Sequence, residues 1–166
     1  LAHYLLTYPQ DEIEVEALKY INEEVASVDE AFQGARDIIA EMIADNADYR
    51  KWIRGYMTKK GEIQSKVRDE SLDERKVYEQ YYEYSEPISR IVPHRVLAMN
   101  RGESEKILRI SIVDDAEGVH RYLAKEVIPI REVTAATKQV KLAIEDAYKR
   151  LIKPSIEREI RASLKE

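Results

Sequence analysis

The stretch Ser27-Val28-Asp29-Glu30-Ala31-Phe32-Gln33-Gly34-Ala35-Arg36-Asp37-Ile38-Ile39-Ala40-Glu41-Met42-Ile43 decides how the rest of the chain is read. Its first four residues form a capping-box pattern, in which the Ser27 hydroxyl accepts from the N3 amide while the Glu30 carboxylate reaches back toward the cap. Val28, Ala31, Phe32, Ala35, Ile38, Ile39, Met42 and Ile43 then recur at helical spacing, which predicts a helix with one continuous apolar face. Asn46 ends this helix or caps the next, whose stripe is Tyr49, Trp52, Ile53, Tyr56 and Met57 and whose stop is Gly61. Trp52, inside that stripe, is expected in the core. Two helices so nearly contiguous need a tight corner, a helix-turn-helix-like arrangement although the turn has no glycine.

Upstream, Leu1–Thr7 reads as a short helix broken by Pro9, and Glu12–Asn22 as an amphipathic turn set through Ile13, Ala17, Leu18 and Ile21. Downstream the period changes. Ile63, Ser65 and Val67 alternate with Glu62, Gln64, Lys66 and Arg68, and Leu108, Ile110 and Ile112 alternate with Arg109, Ser111 and Val113, as half-buried strands do. Between them Tyr78–Tyr84 is expected to be helical and Ser85-Glu86-Pro87 a turn, because proline biases the residue before it away from helix. Pro93 suits the first turn of a helix that runs to Gly102. Val133, Ala136, Val140, Ala143, Ile144, Ala147 and Leu151 predict the longest helix, which Pro154 either kinks or replaces with another through Ile156 and Ile160. The expected fold is therefore mainly α, an irregular multi-helix bundle with a small two-stranded β ribbon over 62–68 and 107–113. Residues 1–166 are expected to form one helical domain or part of one, with 133–166 a long C-terminal helix or helix pair leading to a next domain.

Composition narrows the function classes. With 44% hydrophobic and 36% charged residues, five Gly and five Pro in 166, collagen-like, mucin-like and disulfide-rich classes are excluded. No apolar run approaches the roughly 18 residues that cross a bilayer, so no membrane partner is expected. The absence of Cys removes disulfides, thiol nucleophiles and Cys-ligated metals and fits a reducing, cytoplasmic setting. The chain starts at Leu1 and ends at Leu164-Lys165-Glu166 inside a helical pattern, so it reads as a piece of a longer protein.

Catalysis finds little support. His3, His94 and His120 have no partner histidine at helical spacing, so no metal site is expected. Carboxylate pairs such as Asp114/Asp115 and Glu23/Glu24 stand in polar contexts that leave them solvated, without the burial a general acid requires. No phosphate-cradling glycine loop and no nucleophile elbow occurs. No catalytic residue, cofactor or small-molecule substrate is expected.

Charge is the feature with a binding rationale. The net charge is −5, yet residues 1–48 carry 2 basic and 12 acidic groups while 49–68 carry 7 and 1. Arg50, Lys51 and Arg54 lie away from the apolar stripe of their helix, and Lys59, Lys60, Lys66 and Arg68 follow closely. Clustered cations release counterions on meeting a phosphate backbone. The competing reading is that these cations pair with the acidic head. Arg95, at a helix start whose free amides favour anions, and Arg101 are further candidates, unless the His94-Arg95 turn is satisfied locally. Tyr78, Tyr81, Tyr82 and Tyr84 could stack unpaired bases, but their spacing fits a buried tyrosine face better.

At Gln33-Gly34-Ala35-Arg36-Asp37-Ile38-Ile39-Ala40-Glu41 the sequence resembles the Tex family of bacterial RNA-binding transcription accessory proteins. The likeness continues through Gly61–Val67, Tyr81–Pro87, Pro93–Glu103 and Pro154–Glu159, in the family's order. One departure is Val92-Pro93-His94, where the family often has Ser before the His-Arg pair, so a side-chain cap is lost there. The resemblance implies a multidomain parent in which this chain is the later part of a helical N-terminal region, ahead of a ribonuclease-H-like domain and an RNA-binding barrel. It implies RNA or DNA as partners of that parent, with contacts to the transcription machinery. Two roles follow for the chain itself: a helical scaffold that positions nucleic-acid-binding domains elsewhere, or a binder through Arg50, Lys51, Arg54, Lys59, Lys60, Lys66 and Arg68, with Arg95 and Arg101.

Overall fold

A computed structural model describes residues 1–8 and 10–165. Along the chain come α1 (Ala2–Thr7), α2 (Glu14–Leu18), α3 (Val28–Ala44), α4 (Ala47–Lys60), β1 (Glu62–Val67), β2 (Glu83–Pro87), α5 (Pro93–Ser104), β3 (Leu108–Val113), α6 (Ala116–Val127), α7 (Ala135–Asp146) and α8 (Lys153–Leu164). The fold is mainly α with a small antiparallel sheet. Two compact units divide it, one from Leu1–Lys51 and Ala116–Pro154, the other from Trp52–Asp115 and Ser155–Glu166. The helix break expected at Pro9 lies outside the described residues.

The first unit is helical. The Glu30 amide donates to Ser27 Oγ at 3.2 Å, and the Glu30 carboxylate accepts from the Ala26 amide at 2.7 Å, one residue earlier than a capping box requires. Ala31, Phe32, Ala35, Ile39, Ala40 and Ile43 are buried. Ile38 and Met42 are not: they stand 53% and 57% exposed, so the apolar face is narrower than the sequence pattern. The reason is that Ala40 and Ala44 turn inward, which rotates the buried stripe away from 38 and 42. Ile13, which precedes α2, and Ala17 within it are buried, whereas Leu18 at its last position and Ile21 beyond it are exposed, the helix being shorter than expected. Asn46 caps α4, accepting from the Tyr49 amide at 3.0 Å.

α3 packs on α7 and on the turn that follows it, where Ala136, Ala143 and Ala147 are fully buried and allow close approach. Thr134 and Thr137 cap α7 reciprocally, each side chain accepting from the other's amide at 3.2 and 2.8 Å. Val133 therefore precedes the helix and is exposed rather than opening its apolar stripe. Pro154 has no N–H for the carbonyl four residues back, and the preceding turn, Ala147–Ile152, widens into a π-helix, with the Lys153 amide donating to the Tyr148 carbonyl.

The second unit contains the sheet, which has three strands in the order β2-β1-β3 rather than the expected two. Ile63 lies opposite Ile112 and Ser65 opposite Ile110. Ile63, Ser65, Leu108, Ile110 and Ile112 form the buried face, while Val67 is exposed at the strand end. Tyr78–Tyr84 is not a helix: a short 3-10 turn, Glu79–Tyr81, leads into β2, which takes in Ser85-Glu86-Pro87 where a turn was expected. Hydrogen bonding to β1 overrides the local preference, since Glu86 pairs with Ile63 and Tyr84 with Ser65.

Trp52 is also a correction. It is 39% exposed and stacks on Tyr56 at 4.8 Å, while Ile53 and Met57 carry the buried face of α4. α5 begins at Pro93 as expected and packs on β3, with Gly102 buried against Leu108 and Tyr78.

Candidate nucleic-acid interface

In the first unit, Arg50 is half-buried and its guanidinium donates to the Ala44 carbonyl at 3.2 Å, closing the corner between α3 and α4. Lys51 is exposed on α4.

In the second unit Arg54 donates from Nε to Glu159 of α8 at 2.8 Å. That partner is not in the acidic head, where the pairing reading had placed it. Lys59 and Lys60 occupy the last turn of α4, where a cation also complements the negative end of the helix dipole. Lys66 projects from β1 on the face opposite Ile63, in register with Glu83 of β2 and Arg109 of β3. Arg68 follows the strand, its amide bonded to the Ile107 carbonyl at 2.7 Å. Glu62 and Lys66 sit at opposite ends of β1, about 13 Å apart at the rise of a strand. Within the second unit, β1 therefore stands between Lys60 and Lys66.

Arg95 is committed elsewhere. Its Nε and Nη2 donate to Glu86 Oε1 at 3.1 and 3.0 Å, and Nη2 also lies 2.9 Å from Oε2. Those hydrogen bonds raise its pKa above the ordinary arginine value, more than burial lowers it. The same Glu86 accepts from Tyr84 Oη at 2.7 Å, and this bond, followed by burial, raises the tyrosine's pKa. His94 is exposed beside it, and Val92 offers no side-chain cap. The start of α5 therefore carries a neutralised arginine. Arg101 is exposed in the last turn of α5, well separated along the helix from Arg95.

The tyrosines are core, not a stacking platform. Tyr78 and Tyr81 are buried, Tyr81 and Tyr84 meet edge to face at 5.4 Å, and Tyr82 Oη donates to Asp73 at 2.7 Å. Asp73 is a carboxylate that the sequence gives no reason to bury; it is 5% exposed and accepts from the Val77 and Tyr78 amides as well. It holds the loop that delivers Tyr78 and Tyr81 to the core. Arg109 was also missed, because its place beside Lys66 follows from strand register, which alternation alone does not fix.

The family model described as Tex central region-like matches residues 8–166. The chain belongs to the Tex central region-like family. Uncharacterized protein YdcI of Bacillus subtilis is 50% identical over the whole chain, which spans 24% of that relative's length. Transcriptional accessory protein Tex of Neisseria gonorrhoeae is 30% identical over 68% of the chain and 15% of its own length. The human S1 RNA-binding domain-containing protein 1 is 32% identical over 91% of the chain, corresponding to 17% of its length. The chain thus spans about a quarter or less of these relatives. Among the described residues no helix is long and apolar enough to cross a membrane, and no cluster of His, Asp or Glu could hold a metal.

Proposed function

We propose that this chain is a non-enzymatic, cytoplasmic scaffold segment of an RNA-binding transcription accessory protein, positioning nucleic-acid-binding elements that lie outside it. The observation that carries this reading is the fate of the candidate cations. Arg54 and Arg95 pair with Glu159 and Glu86, Arg50 bonds a backbone carbonyl, and of the remaining lysines Lys60 and Lys66 stand at opposite ends of β1. Family membership, with one relative named for transcription and another for an S1 RNA-binding domain, supports the setting.

A second reading, direct binding through the strip at 50–68, is favoured by the exposure of Lys59, Lys60, Lys66 and Arg68, none of which makes an ion pair among the described residues. Titration of the 166-residue chain against fluorescent single-stranded RNA and duplex DNA, at low and physiological salt, separates the two. The scaffold reading expects the Lys60→Glu, Lys66→Glu double variant to match the parent chain within about twofold at both salts. A steep fall of parental affinity with salt, together with a tenfold or greater loss in the variant, would overturn it in favour of the strip.

A further inference from the structure

A concentration of positive charge around a concavity lies outside the strip. In the first unit, α6 and α7 and the connection between them enclose a cavity of about 490 Å³, within the range of pockets that take small ligands or peptide side chains. Lys125 from the last turn of α6, Arg131 from the connection and Lys141 from α7 line it, with Glu132 the one carboxylate among the described lining residues. All three cations are exposed and make no ion pair among the described residues. An adjoining cavity of about 210 Å³ shares Ala124 and Lys141 and adds Arg121, one helical turn before Lys125, and Glu145. Four cations against two carboxylates, on a chain of net charge −5, set a local field opposite to that of the whole molecule.

Between the cations the wall is aliphatic: Ala124, Ile128 and Ile130 line the larger cavity with Pro129. No aromatic side chain lines it, and the one ring in the adjoining cavity, His120, is half-buried and set edge to face against Tyr148 at 5.7 Å, so the larger hollow offers a nucleobase no ring to stack on. Cations around an aliphatic floor complement a segment that carries carboxylates and aliphatic side chains together, the carboxylates pairing at the edge and the aliphatic groups leaving water in the hollow. We propose that the trough between α6 and α7 is a docking site for an acidic peptide with interspersed aliphatic residues, gripped by Lys125, Arg131 and Lys141. This site is separate from the strip at 50–68 and does not depend on the scaffold reading.

The test is fluorescence anisotropy of the 166-residue chain with a fluorescein-labelled twelve-residue peptide, Asp-Leu-Glu-Ile repeated three times, at low salt. A twelve-residue oligoglutamate and a twelve-nucleotide oligouridine serve as competitors. Saturable binding is expected, weakened at least tenfold by Lys125→Glu with Lys141→Glu and about threefold by Ile128→Ser, with oligoglutamate the poorer competitor. Circular dichroism establishes that each variant keeps its helical content. If the double variant unfolds, Lys141→Gln alone, with an expected loss of about threefold, takes its place. No binding of the mixed peptide, unchanged affinity in the folded trough variants, or oligouridine displacing the labelled peptide better than unlabelled peptide does in the Lys60→Glu, Lys66→Glu variant, where the strip is disabled, each overturns the proposal. The Lys60→Glu, Lys66→Glu variant is run in parallel and is expected to bind peptide like the parent. Were it to lose oligouridine alone, the scaffold reading would fail while the trough stood.

Discussion

The two units are held together by different chemistry. In the first, the buried polar side chains among the described residues are Thr134 and Thr137, which cap their own helix and hold the Glu132 carbonyl just before it; the interior is otherwise aliphatic side chains and closely packed alanine with Phe32 and Tyr148. In the second, Ser65 and Asp73 are buried: Ser65 Oγ donates to the Tyr81 carbonyl at 2.7 Å, sixteen residues away, and Asp73 fixes the loop that leads to Tyr81 through the Val77 and Tyr78 amides. Its ion pairs also reach across the chain: Arg161 of α8 donates to both Glu103 oxygens at 2.7 and 2.9 Å and to Asn100. The Lys19–Glu16 and Arg150–Asp146 pairs of the first unit stay within three or four residues, while its distant polar ties include Arg36 donating to the Gln139 side chain and Asp11 accepting from the Ala135 amide at 3.1 Å. Both units use polar ties between distant residues, but in the helical unit these two lie at exposed or half-buried positions, whereas at the small sheet Ser65 places one in the core, where a satisfied bond is worth most.

The largest expected effect tests the apolar side of that contrast. Ile39 is fully buried on α3 and its neighbour Ile38 is 53% exposed. Ile39→Ala should cost about 2–5 kcal/mol in chemical denaturation, whereas Ile38→Ala should fall within about 0.5 kcal/mol of the parent. Similar losses at both positions would mean that α3 buries a wider face than described and that the first unit is not packed on its alanine stripe.

Next comes a pair of glycines, one in each unit. A Cβ at Gly102 of α5 would sit 2.5 Å from Leu108 Cδ1 and 2.8 Å from its Cγ, with Tyr78 Cδ1 at 3.1 Å, and Leu108 is itself fully buried. Gly102→Ala should therefore destabilise by about 1–3 kcal/mol through overpacking. A Cβ at Gly34 of α3 meets nothing within 4 Å, so Gly34→Ala should stabilise by about 0.5–1 kcal/mol by removing unfolded-chain freedom. Thermal melts of the two variants should move in opposite directions. A gain at both sites would show that α5 has slack against β3.

The same contrast explains what the sequence made legible. Ser27, Asn46, Pro93 and the isoleucines of α3 act within a few residues of themselves, so the helices could be read from them. β2 could not: Tyr82-Glu83-Tyr84-Ser85-Glu86-Pro87 has no alternation of aliphatic and polar residues, and its strand identity comes from pairing with β1. Trp52, Ile38 and Met42 were misplaced because periodicity tells which residues share a face but not how wide the neighbouring surface is. For the candidate interface, a run of cations in sequence leaves open which of them share a face. Lys60 and Lys66 are near in sequence yet separated by the length of β1, while Arg121, Lys125, Arg131 and Lys141 converge on one trough through the α6–α7 packing, with acids interleaved that hid them.

The smallest effect probes the polar ties themselves. Burial works to raise the Asp73 pKa, but the Tyr78 amide, the Tyr82 hydroxyl and the Val77 amide together outweigh it and hold the carboxyl below its ordinary 3.8. A carboxyl depressed on folding contributes stability that is fully present above pH 3.8 and is lost as pH falls through the folded value. Asp73→Asn replaces one of the two acceptor oxygens with a donor, so that at least the Val77 amide faces another donor, and should lower Tm by about 2–4 °C at pH 7. The gap between parent and variant should stay level down to about pH 5 and close below 3.8. Tyr82 reports on the same bond from the alkaline side, because burial first and its hydrogen bond to Asp73 second push its phenol up to about 12. In Asp73→Asn its ionisation, followed by ultraviolet absorbance, should move back toward 10. A Tm gap that persists well below pH 3.8 would mean that the charge on Asp73 is not what ties the loop, and the contrast between the units would then rest on Ser65 and the Arg161–Glu103 pair instead.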